Sequence, residues 1–207
     1  MLGPTLETER LILRPPLPED LDGWAALMGD IGAARFIGGM QPRAGAWRGL
    51  AAMAGSWALH GFGMFSVIEK HSGRWVGRLG PWRPEGWPGT EVGWGLMRSA
   101  WGKGYATEGA AAAMDWAADT LGWSDLIHCI DPENLASIRV AERLGSVRRG
   151  PERLPPPFEH EQVEIWGQTA DQWRRRRACG GSSPAATTGQ SAPRANSIAL
   201  GTGRTLG

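Results

Sequence analysis

The chain has 207 residues, of which 42% are hydrophobic and two are cysteines, and its net charge is +1 at neutral pH. That is enough for one domain with a real core, and the apolar content and near-neutral charge exclude a largely disordered chain or one that coats nucleic acid. Cys129 sits in an apolar run and Cys179 in the tail, which argues against a disulfide framework and fits a reduced, cytoplasmic setting; the N-terminus has no apolar leader core, and no segment approaches the length of a membrane span.

In chain order, residues 6–14 alternate Leu11 and Leu13 with Ile12 and Arg14, which suits a first strand stopped by Pro15, Pro16 and Pro18. Glu19 and Asp20 then open a helix to about Met28, where negative charge suits the helix dipole. Residues 43–59 predict a second helix with Leu50, Met53 and Trp57 on one face. A break at 60–63 leads to a strand at 64–69, a hairpin turn at 71–73 and a returning strand at 75–79. Residues 81–89 carry three prolines and two tryptophans and read as a loop near the mouth of any site. The chain has twelve tryptophans. Most belong to core and rim packing, with at most a quarter expected in an apolar acceptor pocket.

The central stretch follows. Glu91-Val92-Gly93-Trp94-Gly95-Leu96 has strand alternation, and Ala106, Ala110, Ala113, Ala117 and Leu121 share one helical face. Between them lie Gly102 and Gly104, which permit close main-chain approach. The first turn of the helix leaves unpaired N–H groups at the positive end of its dipole. Strand, glycine turn and helix start together make a phosphate seat. Gly122 caps the helix, 126–130 is a short buried strand, 131–134 a turn, and 135–144 a helix closed by Gly145. Residues 163–169 form a last strand and 170–177 a short helix. Residues 178–207 are rich in Gly, Ser, Ala, Thr and Pro and read as a disordered tail after a domain spanning 1–177.

The seat is neither a P-loop nor a dinucleotide fingerprint, because the required residues are missing. Ser99-Ala100-Trp101-Gly102-Lys103-Gly104 resembles the pyrophosphate loop Q/R-x-x-G-x-G/A of the GNAT N-acetyltransferases, with the first position departing. The run from Trp101 to Glu108 resembles the branch that includes ribosomal-protein N-terminal acetyltransferases. Asp131-Pro132-Glu133-Asn134 through Gly145 resembles that family's D-P-x-N-x-x-S-I-x-V-x-x-x-L-G segment. Two motifs in the right order carry more weight than either alone, and the resemblance covers roughly residues 5–175.

The resemblance implies an α/β fold. Its mixed, mostly antiparallel sheet has six to seven strands, with helices on both faces and two central parallel strands splayed apart. It implies acetyl-CoA as co-substrate, with no metal. Expected contacts are Gly95, Leu96, Met97 and Asn134 for the pantetheine arm, and Gly102, Lys103, Gly104, Tyr105, Ala106 and Thr107 for the diphosphate. Asn134 reads equally well as a helix N-cap. The implied reaction is acetyl transfer to a primary amine, on a protein N-terminus or a small molecule, through a ternary complex. An α-amino group with a pKa near ~8 costs roughly 1.4 kcal/mol to deprotonate at pH 7, and a lysine near ~10.4 costs about 4.6.

Glu91 is the candidate base, against a salt bridge or a solvated strand end. A main-chain N–H at Leu96 or Met97 is the candidate oxyanion donor. The tyrosine that many members use as the acid is Ala141 here. Ser137 is the candidate donor in its place, against a role in starting its helix. Gly145-Ser146 replaces the usual Gly-Phe. Lys103, Arg139 and Arg143 are further candidates for the CoA phosphates, and His60 and the run Glu159-His160-Glu161 for the acceptor. Arg174 to Arg177 read better as a solvated helix end than as a nucleic-acid contact. The competing reading is an acyl-CoA-binding module that has lost turnover. Membrane and nucleic-acid partners are not expected, and monomer and homodimer both stay open.

Overall fold

The computed structural model describes residues 3–179. Its strands are β1 Leu6–Glu7, β2 Leu11–Arg14, β3 Phe65–Glu69, β4 Arg74–Trp82, β5 Glu91–Leu96, β6 Asp125–Ile130, β7 Val147–Glu152 and β8 Val163–Thr169. Its helices are α1 Leu21–Gly29, α2 Ile31–Ala34, α3 Arg43–His60, α4 Tyr105–Asp119, α5 Leu135–Leu144 and α6 Ala170–Cys179. One eight-stranded sheet has the order β1-β2-β3-β4-β5-β6-β8-β7. All neighbours are antiparallel except β5 and β6.

Helices cover both faces. On one, Leu11, Leu13, Phe65, Val67, Leu79, Val92 and Leu96 pack under α4. The alanine stripe read from the sequence explains this: Ala110, Ala113 and Ala117 are fully buried, so α4 lies close to the sheet. A Cβ at Gly109 would stand 2.5 Å from Leu79 Cδ2, which shows how little room is left. On the other face, Trp24, Leu27 and Met28 of α1 and Ala46, Leu50 and Met53 of α3 form a second cluster with Met64. Each large apolar side chain so buried contributes about 1.5–3 kcal/mol.

Three differences from the expected elements have local causes. The run 6–14 is not one strand but a hairpin, β1 and β2, pinched where the Thr8 hydroxyl and the Arg10 main chain and guanidinium bond Glu108 of α4. β4 runs on to Trp82 through Pro81; β3 ends at Phe65, opposite Leu79, so no strand needs the missing N–H. β7 was not expected, because Val-Arg-Arg-Gly-Pro-Glu has no alternation. It is an edge strand, tied by Arg148 to Glu164 and by Arg149 to Asp125. The sheet therefore has eight strands where six or seven were expected. Helix α6 includes residues 178 and 179; the remainder of the expected tail, 180–207, lies outside the described residues.

Candidate active site

β5 and β6 are paired only at Glu91 and Ile127, where the Ile127 N–H donates to Thr90 O at 3.1 Å. Beyond that point β5 stays on β4 as far as Leu96, and β6 stays on β8 as far as Ile130. The two parallel strands therefore part. Their ladder is continued by side chains: Glu91 Oε1 accepts from the Cys129 N–H at 3.2 Å, and His128 Nδ1 lies 2.7 Å from Val92 O.

His128 is a wedge with a fixed tautomer. A carbonyl only accepts, so Nδ1 carries the hydrogen, and Nε2 accepts from Ser146 Oγ at 3.0 Å. Ser146 in turn accepts from Gln168 Nε2 at 3.1 Å. Burial pushes the imidazole down to about 4, so it is neutral at physiological pH. Ser146, where the family motif has Phe, thus gains a definite task. Neither His128 nor Gln168 stood out in the sequence.

Parity along β5 decides which main-chain groups face the gap. The Met97 N–H donates to Val76 O at 2.9 Å, so Met97, and with it Gly95, turns to β4. Met97 O accepts from Ala100. Val92, Trp94 and Leu96 turn the other way, although Leu96 O is taken by Trp101 Nε1 at 2.8 Å. Of the expected arm contacts on β5, only Leu96 presents its amide to the gap. Gly95 and Met97 do not, because their N–H groups are spent on the sheet, and this also removes Met97 as an oxyanion donor. Trp94, not among the expected residues, takes their place.

The glycine turn is built as a seat. Gly102 and Gly104 have φ of +73° and +80°, a region that other residues enter only at a cost. The N–H groups of 102–107 donate to no acceptor among the described residues; the first helical bond here is from Glu108 to Gly104 O. Arg10 Nη1 donates to Lys103 O at 2.8 Å and bonds Glu108, bracing the turn from below. Lys103 Nζ lies 3.5 Å from Glu69 Oε1, which also accepts from the Tyr105 hydroxyl at 2.7 Å. The Ser72 and Tyr105 hydroxyls hold the Glu69 carboxyl down at about 2. The only tyrosine is therefore locked away from any reacting group.

A cavity of about 180 Å3 passes through the split. Glu91, Gly93, Arg78, Trp82 and Trp87 line it on the α1–α3 side, and Trp94, His128, Asn134 and Ser137 line its far side. Three of the twelve tryptophans reach it. Glu91 is buried; Trp87 Nε1 donates to its Oε2 at 2.6 Å, and desolvation pushes the carboxyl up to about 7. Such a group exchanges a proton near neutral pH. Ser137 Oγ accepts from Trp94 Nε1 at 3.1 Å, leaving its own hydrogen to donate. Asn134 caps α5 through Oδ1 on the Ser137 N–H at 3.1 Å, so that oxygen is committed to the helix. Beside Glu91, Cys129 is kept a thiol, its pKa pushed up by burial and by that carboxylate.

The other candidates disperse. Ala141 is fully buried and not on the cavity wall. Arg139 and Arg143 are exposed on α5, and His60 stacks on Phe62 instead of lining the cavity. Glu161 lines both this cavity and a neighbouring, more open pocket, whereas Glu159 and His160 line only the latter. Arg174 and Arg177 pair with Asp119 and Asp115 of α4. Among the described residues, no group of three or more His, Cys, Asp or Glu is placed to hold a metal, and no helix is long and apolar enough to cross a membrane.

Split strands beside a glycine turn are a family geometry, and comparison with known proteins decides which family. The model of the acetyltransferase (GNAT) domain matches residues 10–147. The chain belongs to the GNAT acetyltransferase family. It is thus an acyltransferase, and the family implies acetyl-CoA as the acyl donor. An acetyltransferase from Agrobacterium tumefaciens is 30% identical, with 80% of this chain and 94% of that one covered and a TM-score of 0.69. A GNAT-family acetyltransferase from Bacillus anthracis is 22% identical over 81% and 99% of the two chains, with a TM-score of 0.68. RimJ of Mycobacterium smegmatis, solved in complex with CoA-disulfide, is 19% identical over 86% and 95%, with a TM-score of 0.66. No curated protein matches the chain at a significant level. The residues of the glycine turn fit a diphosphate: the turn is exposed, and a Cβ at Gly102 would meet nothing within 4 Å.

Proposed function

We propose that the chain transfers an acetyl group from acetyl-CoA to a primary amine, by direct attack in a ternary complex, within one domain that ends near residue 177. The observation that carries this reading is a buried carboxyl held near neutrality at the root of the strand split, on the wall of the cavity that Ser137 also lines. The CoA-disulfide held by a protein of the same fold supports the choice of donor.

When bound, acetyl-CoA supplies a thioester whose carbonyl carbon accepts the amine and whose sulfur leaves. The amides of residues 102–107 hold the diphosphate at the positive end of α4, with Lys103 beside them. The Trp94 and Leu96 N–H groups face the gap, where they bond the arm and stabilise negative charge on the carbonyl oxygen. Glu91 takes one proton from the incoming ammonium. As the C–N bond forms and the C–S bond breaks, the second nitrogen proton balances the departing thiolate, which the Ser137 hydroxyl hydrogen-bonds. With a thiol pKa near ~8.5, that thiolate needs only modest help. Cys129, kept protonated, is a poor acyl carrier, which favours one direct step over a covalent relay. The setting we propose is cytoplasmic, in keeping with two free cysteines.

Incubation with acetyl-CoA and a panel of amines tests this. Thiol release that depends on the amine, with initial-rate lines that intersect, is expected. CoA binding without thiol release from any amine would instead favour the binding module.

A further inference from the structure

The α1–α3 side of the cavity holds a cation that the acetyl transfer does not use. Arg78 lies on β4 opposite Ser66 of β3 and Gly95 of β5, and its guanidinium carbon stands 5.3 Å from the centre of the Trp24 ring. It reaches the cavity wall with Glu91. A guanidinium offers five donors. Here Nη1 meets only the Met64 sulfur, a weak acceptor, and the buried Nε has no partner. No carboxylate oxygen among the described residues lies within 4.0 Å of it, although it feels the charge of Glu91. Burial pushes it down only to about 10, so it stays cationic. The residue as a whole is half-buried, but its Nε is fully enclosed, and a charge held there without a counter-ion is one that a ligand can complete.

The walls around it are arranged for a small occupant. Gly93, on the cavity wall, leaves the main chain bare beside Glu91: a Cβ there would stand 2.9 Å from Met64 Cε and 3.2 Å from Glu91 Oε1. Trp82, Trp87 and Phe158 make a chain of edge-to-face rings with centroids 6.5 Å apart. The cavity, at about 180 Å3, is below the ~300–1,000 Å3 of pockets for drug-sized ligands. The remaining carboxylates on its wall, Asp131 and Glu161, favour a cationic group in the cavity.

We propose that Arg78 receives a carboxylate of the acceptor, so that the acetylated amine is the α-amine of a free apolar amino acid. This rests on the acetyl-transfer reading above and names its substrate class. An amino acid places its amine and carboxylate on one carbon, which suits two groups that share a wall without touching. Its apolar side chain then lies among Trp82, Trp87 and Phe158. Arg–carboxylate pairing is frequently bidentate, so lysine is not an equivalent.

The test uses the full chain with acetyl-CoA and three matched acceptors: L-phenylalanine, its amide and phenethylamine, with a Phe-Ala dipeptide as the peptide arm. The wild-type protein is expected to prefer the free amino acid by about ten- to a hundredfold in kcat/KM, as a charged hydrogen bond implies. In Arg78→Met that ratio falls towards one, and in Arg78→Lys it stays intermediate. Equal or better use of the amide, amine or dipeptide by the wild-type protein would overturn the proposal and leave acetyl transfer standing. If none of these acceptors releases thiol, the amine panel above decides the acetyl-transfer reading, and calorimetry on the CoA-loaded protein decides the carboxylate site alone. There, binding of L-phenylalanine but not of its amide supports the site, and binding of neither overturns it. The substrate comparison needs no variant, so it holds even if Arg78→Met does not fold.

Discussion

Replacing Glu91 with Gln removes the proton acceptor while nearly preserving its shape. The carboxyl sits at about 7, where an ordinary glutamate is near 4.5. The difference corresponds to about 3 kcal/mol of easier proton acceptance. A proton passing from an α-ammonium near ~8 to Glu91 then climbs only about 1.4 kcal/mol. General bases contribute ~100- to 10,000-fold, so Glu91→Gln should lower kcat/KM at least ~100-fold. The pH profile supplies the sign. In the wild-type protein, kcat/KM rises as Glu91 loses its proton around pH 7; in the variant that inflexion disappears and only the amine's own titration is left. Gln offers one oxygen where Trp87 and the Cys129 amide each bond a separate carboxylate oxygen, so about 1–3 kcal/mol of stability is lost as well. Thiol release from pH 5.5 to 9, with melting temperature and CoA affinity as controls, separates the two effects. A folded variant within threefold of the wild-type rate, with the inflexion near 7 intact, would refute the assignment.

Ser137→Ala should slow thiol release about tenfold and leave CoA affinity nearly unchanged, because the hydroxyl serves the departing sulfur; stopped-flow thiol detection checks it, and unaltered kinetics would remove Ser137 from the mechanism. Gly104→Val should lower CoA affinity at least ~10-fold by calorimetry, since a φ of +80° strains any L-residue and the added side chain would crowd Arg10, which braces the turn. His128→Asn should make stability less dependent on acid. The wild-type imidazole, held near 4 against an ordinary 6.5, contributes stability that is whole above pH 6.5 and is lost as pH falls towards 4, about 3 kcal/mol in all. In urea melts the gap between wild type and variant should therefore narrow across that window, and a constant gap would count against a neutral buried wedge.

What the sequence made legible was local. The glycine turn, the alanine face of α4 and the Asn134 cap each lie within one or two turns of chain, and each stands where expected. Glu91 was readable as the charged residue opening an apolar strand, but its burial was not. That depends on Trp87 and on Cys129, 38 residues away along the chain. Trp94 was passed over for Gly95 and Met97 because β5 reads the same in either parity; only the Met97 bond to Val76 fixes which amides face the gap. His128, Ser146 and Gln168 meet from three elements, and none is unusual alone. Arg78 looks like the polar position of an alternating strand. Its place in the cavity depends on Trp24, which reaches it from the helix packed on that face. β7 escaped because an edge strand bound by ion pairs needs no apolar alternation.

The account depends on CoA entering between β5 and β6 with its diphosphate on the glycine turn. Amide hydrogen exchange followed by NMR, with and without CoA, tests this most directly. The account predicts that exchange slows at Trp94, Leu96 and the amides of 102–107, while Gly95 and Met97, already bonded to β4, change little. Slowing at Gly95 and Met97 with Trp94, Leu96 and the turn unaffected would contradict it.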